Sequence, residues 1–185
     1  MNAVGPPGGL VRPAVPGDAD AIAAVHVATW RDAYAGLMPG EILDALDVGQ
    51  RAETWRGILA APPDGVFALV FERHGQVRGF VSAGPHRAGH ARGEVFAIYV
   101  DPPCQGQGAG RRLLEAAGRR LAEAGFAEAS LWVLATNRAA RGFYESQGWR
   151  ADGAEQPWTY HGVGEGLTEV RYVANLRPPP GRDPR

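Results

Sequence analysis

The chain has 185 residues, the size of one domain, and its 45% hydrophobic content is enough for a substantial core. A net charge of -1 excludes a global attraction to nucleic acid or anionic membrane, so any electrostatic recognition has to be local. The single cysteine, Cys104, excludes an intramolecular disulfide framework and a multi-cysteine metal site, and all 19 basic residues are arginine.

Gly5-Pro6-Pro7-Gly8-Gly9 and Pro178-Pro179-Pro180-Gly181 have the composition of disordered tails. That leaves residues 10–176 as one domain between an N-terminal tail, 1–9, and a C-terminal tail, 177–185. The first residues lack a basic start and an apolar run, and no stretch is long and apolar enough to span a bilayer, so a cytoplasmic protein is expected.

Leu10 to Ala14 is a short strand candidate, and Asp18 is placed to cap a helix running through Ile22, Val25, Thr29 and Tyr34. A second helical region spans Pro39 to Leu59 with interruptions, before a turn at Pro62-Pro63-Asp64-Gly65. Val66 to Glu72 and Val77 to Ala83 read as a hairpin, and Glu94 to Val100 as a third β-rich run. From Ala109 to Ala124, Leu113, Leu114, Ala117 and Leu121 recur at helical spacing, opposite Arg112, Glu115, Arg119 and Glu123. Gly125 ends that amphipathic helix, Ser130 to Ala135 is another strand, and Arg138 to Gln147 is a short helix stopped by Gly148. Trp149 to Tyr160 and Leu167 to Val173 complete a hairpin-rich sheet around one strand-helix-strand unit, an α+β class.

The chemistry points to Gln105-Gly106-Gln107-Gly108-Ala109-Gly110, which joins the third β-rich run to the amphipathic helix. Glycines let backbone approach a phosphate closely, and the unpaired N–H groups of the helix's first turn are directed at the same anion. Arg111 or Arg112 would add charge-assisted contacts. A glycine-rich turn also joins strand to helix with no ligand, so the loop alone leaves both readings open. The spacing is not that of a dinucleotide fingerprint, and a Walker A loop is excluded by the missing Gly-Lys-Ser/Thr.

With Val100, Pro102, Gln105, Gly106, Gly108 and Gly110 in place, this stretch resembles the signature of the GNAT superfamily of acyl-CoA-dependent N-acetyltransferases. A second resemblance lies in Asn137, Ala140, Phe143, Tyr144, Glu145, Gly148 and Trp149. The resemblance implies a central mixed, mostly antiparallel sheet of about seven strands with about four helices, splayed in a V between strands 4 and 5. It implies acetyl-CoA in the splay, with coenzyme A as product and no metal. Backbone around Ile98, Tyr99 and Val100 would meet the pantetheine arm, with Asn137 beside it, and N–H groups of Gln105, Gly106, Gln107, Gly108, Ala109, Gly110 and Arg111 would hold the pyrophosphate.

Amide formation needs a neutral amine, an oxyanion stabilised by a backbone N–H, and a proton for the departing thiolate. Tyr144 matches the tyrosine that commonly supplies that proton in the family, or is an aromatic core contact beside Phe143. Glu94, read by strict alternation onto the face of Phe96, Ile98 and Val100, is the candidate base or a solvated strand-end carboxylate. Trp30, Tyr34 and Met38, with Leu37, mark the acceptor end, with ordinary core packing as the alternative for Trp30 and Tyr34. Cys104 lacks a partner histidine, and His86 and His90 lack a third ligand. Ribosomal-protein alanine acetyltransferases share the cofactor motifs but carry a glutamate where this chain has Trp132. The expectation is therefore acetyl transfer to a primary amine of a small molecule, with no nucleic-acid or membrane partner and a homodimer left open. Protein N-terminal or lysine acetylation, and a non-catalytic acyl-CoA sensor, are the alternatives.

Overall fold

A computed structural model describes residues 8–160 and 162–176, so most of both expected tails, 1–7 and 177–185, lies outside the described residues. Seven strands form one sheet in the order β1-β2-β3-β4-β5-β7-β6. They are β1 (Leu10–Pro13), β2 (Phe67–Arg73), β3 (Gln76–Pro85), β4 (Gly93–Val100), β5 (Glu128–Leu134), β6 (Arg150–Pro157) and β7 (Thr168–Asn175). All neighbours pair antiparallel except β4 and β5, which run parallel. The chain between that parallel pair supplies the crossover that a parallel connection requires. β7 returns between β5 and β6, an order that the linear sequence does not display.

The helices are α1 (Ala19–Ala33), α2 (Gly40–Asp44), α3 (Val48–Ala60), α4 (Ala109–Glu123) and α5 (Arg138–Ser146). There are five among the described residues, against about four expected, because the 39–59 region divides at Ala45 to Asp47. Asp47 caps the second part, accepting the Gln50 N–H at 2.7 Å. Asp18 does not cap α1 with its side chain. A 3-10 turn at Pro16–Asp18 leads into the helix, and the Asp18 carboxylate accepts the Val15 N–H at 2.9 Å and two bonds from Arg12.

Two cores hold the sheet between the helices. On one face Leu113, Leu114, Ala117 and Leu121 of α4 pack on Leu69, Phe71, Val81, Val95, Leu131 and Tyr172. On the other, Ile22, Ala23 and Val25 of α1 and Trp55 of α3 cover Val70 and Phe80. The apolar period read from the sequence is thus the buried stripe of α4.

The feature that positions the site is the brevity of the β4–β5 contact. Only Gly93↔Ala129 and Glu94↔Ser130 pair, and beyond them the strands part. Residues 93–95 are buried, whereas 96–100 are half-exposed along the opening. A bulge accompanies the change: Ala83 faces Val95 while Ser82 faces Ala97, so Phe96 is the extra residue. Val95 consequently shares the α4-side core with Ile98 and Val100. Glu94 falls on the α1 face with Ala97 and Tyr99, not on the face that strict alternation assigned to it.

Candidate active site

At the mouth of the wedge, Gly106 and Gly108 adopt φ of 69° and 84°. A Cβ at either would meet nothing within 4 Å, so the requirement for glycine there is conformational and not steric. This left-handed path leads into α4, whose first backbone bond runs from Arg112 N to Gly108 O. The N–H groups of 106 to 111 find no acceptor among the described residues. That row of donors, backed by the helix dipole, is the arrangement that a pyrophosphate needs. Gly110 has a further role: a Cβ there would lie 3.2 Å from Phe143 Cζ, so its small size sets how closely α4 approaches α5.

The side chains of the loop divide. Arg111 is exposed and lines the cavity, with Glu115 at 3.8 Å. Arg112 is turned away to the carbonyls of Gly8 and Gly9 and over the Phe71 ring, which takes it out of phosphate contact. Gln107 bonds Arg73 and the Pro103 carbonyl. Gln105 reaches back to the Val100 carbonyl at 3.1 Å, and Thr29 donates to the same oxygen at 3.1 Å.

From this mouth a cavity of about 550 Å³ runs through the splay. It is bounded by Ile98, Tyr99 and Val100 on one limb and by Leu131, Trp132 and Val133 on the other. Gln105, Gly106, Gly108, Gly110, Asn137, Tyr34 and Tyr144 also reach it. Asn137 caps α5 through Oδ1, which accepts the Ala140 N–H at 3.0 Å, so its amide nitrogen is the part left for a ligand. Tyr144 is 8% exposed, packs 5.3 Å from Phe143 and 6.0 Å from Tyr172, and bonds no described residue through its hydroxyl. Burial raises its phenol well above the ordinary value, so it holds its proton at neutral pH.

The acceptor-side candidates separate as well. Tyr34 lines the cavity close to Tyr99, and burial raises both phenols. Trp30 and Met38 are not in the cavity wall. Met38 is buried with Val27, Ile42 and Leu46, and Trp30 packs at the edge of that cluster, 5.3 Å from Tyr34. Glu94 sits at the vertex, 1% exposed, outside the cavity wall. Its Oε2 accepts the Arg87 N–H at 3.0 Å, and its Oε1 accepts Nε at 2.9 Å and Nη2 of the same arginine.

Thr29, Arg87 and Glu169 were not among the residues singled out from the sequence. Thr29 reaches β4 from α1, Arg87 reaches it from the β3–β4 loop and Glu169 is placed by the pairing of β7, and no local motif marks any of them. Glu145, within the second motif, accepts the Tyr172 hydroxyl at 2.6 Å and ties α5 to β7.

A sheet parted at one parallel pair, with free N–H donors at the mouth and a protonated phenol inside, is the architecture of an acyl-CoA-dependent N-acyltransferase. The Acetyltransferase (GNAT) family pattern matches residues 27–149, well over half of the chain, and the chain belongs to that family of acetyl-CoA-dependent acyltransferases. It is 30% identical over 171 residues to "Probable N-acetyltransferase Rv2775" of Mycobacterium tuberculosis, covering 92% of this chain and 96% of that protein. It is 36% identical over 129 residues to "Uncharacterized N-acetyltransferase YuaI" of Bacillus subtilis, covering 69% and 72%. The PaiA N-acetyltransferase of Thermoplasma acidophilum, solved in complex with coenzyme A, shares the fold. Its TM-score is 0.73 at 16% identity, over 90% of this chain and 98% of that one. Among the described residues no helix is long and apolar enough to cross a membrane.

Proposed function

We propose that the protein transfers an acetyl group to a primary amine of a small molecule by direct attack with donor and acceptor bound together. The observation that carries this reading is the continuity of one cavity from the unpaired N–H groups at 106 to 111 to the Tyr144 phenol and on to Tyr34. Acetyl-CoA, when bound, supplies the activated acyl thioester. The backbone of Gln105 to Arg111 would hold its pyrophosphate, and Ile98, Tyr99, Val100 and Asn137 would orient its pantetheine arm. The Val100 carbonyl already accepts two protein hydrogen bonds, so Ile98 and the remaining N–H groups carry that contact.

Tyr144 holds a proton for the leaving sulfur, a role supported by its burial and by a hydroxyl with no other described partner. Glu94 takes the acceptor's proton through water; its Oε2 accepts only the Arg87 N–H and keeps a lone pair for that purpose. Tyr34 closes the acceptor side, with Trp30 and Met38 supporting it from behind.

The test is thiol release from acetyl-CoA across a panel of amines, with Tyr144→Phe beside the wild type. The variant is expected to lose about a hundredfold or more in kcat at unchanged coenzyme A affinity, because it lacks a proton donor and no binding surface. Undiminished turnover under chemistry-limited conditions would remove Tyr144 from the role. Coenzyme A binding without turnover of any amine would favour a sensor.

A further inference from the structure

The two carboxylates on the α1 face of the wedge differ in how they are neutralised. Glu94 carries Arg87 on both oxygens. Glu169 of β7 accepts one hydrogen bond, from Gln156 Nε2 to its Oε2 at 2.9 Å. Among the described residues it has no basic group within ion-pair range, and its Oε1 is left without a donor.

Register places Glu169 at the open end of the wedge. It pairs with Leu134 across β5 and β7, and Trp132, on the same face of β5, lines the cavity. The charge of Glu169 is felt by Tyr34 and Tyr99 from the opposite limb. Tyr144 instead packs in the core on the α4 side. The cavity is lined by both Tyr34, which follows α1, and Tyr144 of α5, so it passes through the sheet from one face to the other, and Glu169 stands behind its wall and not in it. The proton donor therefore lies on the α4 side of the sheet and Glu169 on the α1 side.

A half-buried carboxylate with no cation is costly, and an arriving cation relieves the cost. Burial pushes the Glu169 carboxyl up, against the Gln156 hydrogen bond and the Arg87 charge, and the charge of Glu94 adds to the upward push. The surroundings also suit a cation. Leu134, the cross-strand neighbour of Glu169, belongs to the cluster that gathers Trp30, Tyr34, Trp158 and Tyr160. Trp30 stands 5.3 Å from Tyr34, 6.4 Å from Trp158 and 5.6 Å from Tyr160, an aromatic group on the same side of the sheet in which Arg51 already donates to the Tyr160 hydroxyl at 2.9 Å and Tyr34 lines the cavity.

Resting on the acetyltransferase reading, we infer that Glu169 selects acceptors bearing a second positive charge. The reacting amine enters the gap towards Tyr144, and a cationic group on the acceptor's tail docks on Glu169 at the α1 side.

The test compares 1,4-diaminobutane with butylamine, which has the same four-carbon chain and lacks the second amine. Wild type is expected to favour the diamine by about ten- to a hundredfold in kcat/KM, expressed in KM. Glu169→Gln, which keeps the shape, should abolish that preference with butylamine turnover and coenzyme A affinity unchanged, and Glu169→Asp should retain part of it. Equal slowing of both amines, or no preference in wild type, overturns the proposal; a melting temperature for each variant separates this from loss of fold. Should the wild type bind coenzyme A yet turn over neither amine, calorimetric titration of 1,4-diaminobutane into the coenzyme A-saturated protein decides. Binding that Glu169→Gln abolishes supports the proposal, and no binding by wild type overturns it. Failure to bind coenzyme A at all would instead sink the acyltransferase reading and this proposal with it.

Discussion

His26 lies on the buried side of α1 with neither ring nitrogen bonded to a described residue, stacked 4.9 Å from Tyr99 and tilted 5.4 Å from Trp30. Burial, with the nearby charge of Arg51, lowers its pKa from 6.5 to about 3. Between those values the unfolded chain binds a proton that the folded chain refuses. The contribution of a neutral His26 is therefore complete above pH 6.5 and is lost as pH falls towards 3, at no more than about 1.4 kcal/mol per pH unit. His86, also lowered by burial, acts in the same direction. Asp18, held down by Arg12, loses its contribution only in more acid solution, below its ordinary 3.8. His26→Phe keeps the stacking and removes the unmet polar atoms. Denaturant titration at pH 5 should find it more stable by about 1–3 kcal/mol, with a shallower pH slope above pH 3. An unchanged slope would mean that another group titrates there.

At the scale of elements, α4 and the loop before it were legible because their signals are local. Apolar residues recur at the helical period, and glycines stand where left-handed backbone starts the helix. Gly108→Glu should accordingly abolish acetyl-CoA binding in a calorimetric titration, since it strains φ at 84° and sets an anion among the N–H donors. An unchanged dissociation constant would refute the pyrophosphate assignment. Glu169 was not legible. Its place depends on β7 returning between β5 and β6, a pairing across distant sequence. The face of Glu94 was misread for a related reason: a bulge at Phe96 reverses an alternation that the residues themselves do not interrupt. Asp18 was read as a cap from its type, but Arg12, six residues earlier, fixes where its carboxylate points.

Across the whole molecule, the wedge depends on how α4 seats over its vertex. Gly93 is buried at the first of the two β4–β5 pairs, and a Cβ there would stand 2.9 Å from both methyl carbons of Leu121. Gly93→Ala should cost about 1–3 kcal/mol in equilibrium unfolding, because the helix has to lift from the sheet to admit one methyl group. No change in stability would show that α4 yields freely there. The parting of β4 and β5 has one more consequence. Besides its outer edges at β1 and β6, the sheet owns a pair of inward edges that face one another. Unpaired edges ordinarily invite a strand from another molecule. These are walled by α1 residues on one side and α5 residues on the other, and the space between them is a slot within the fold. The walls narrow the approach of a second sheet to these edges, and the slot suits a slim chain with its own amide groups. The enclosure that shapes the slot also covers these two inner edges, leaving only β1 and β6 open to pairing.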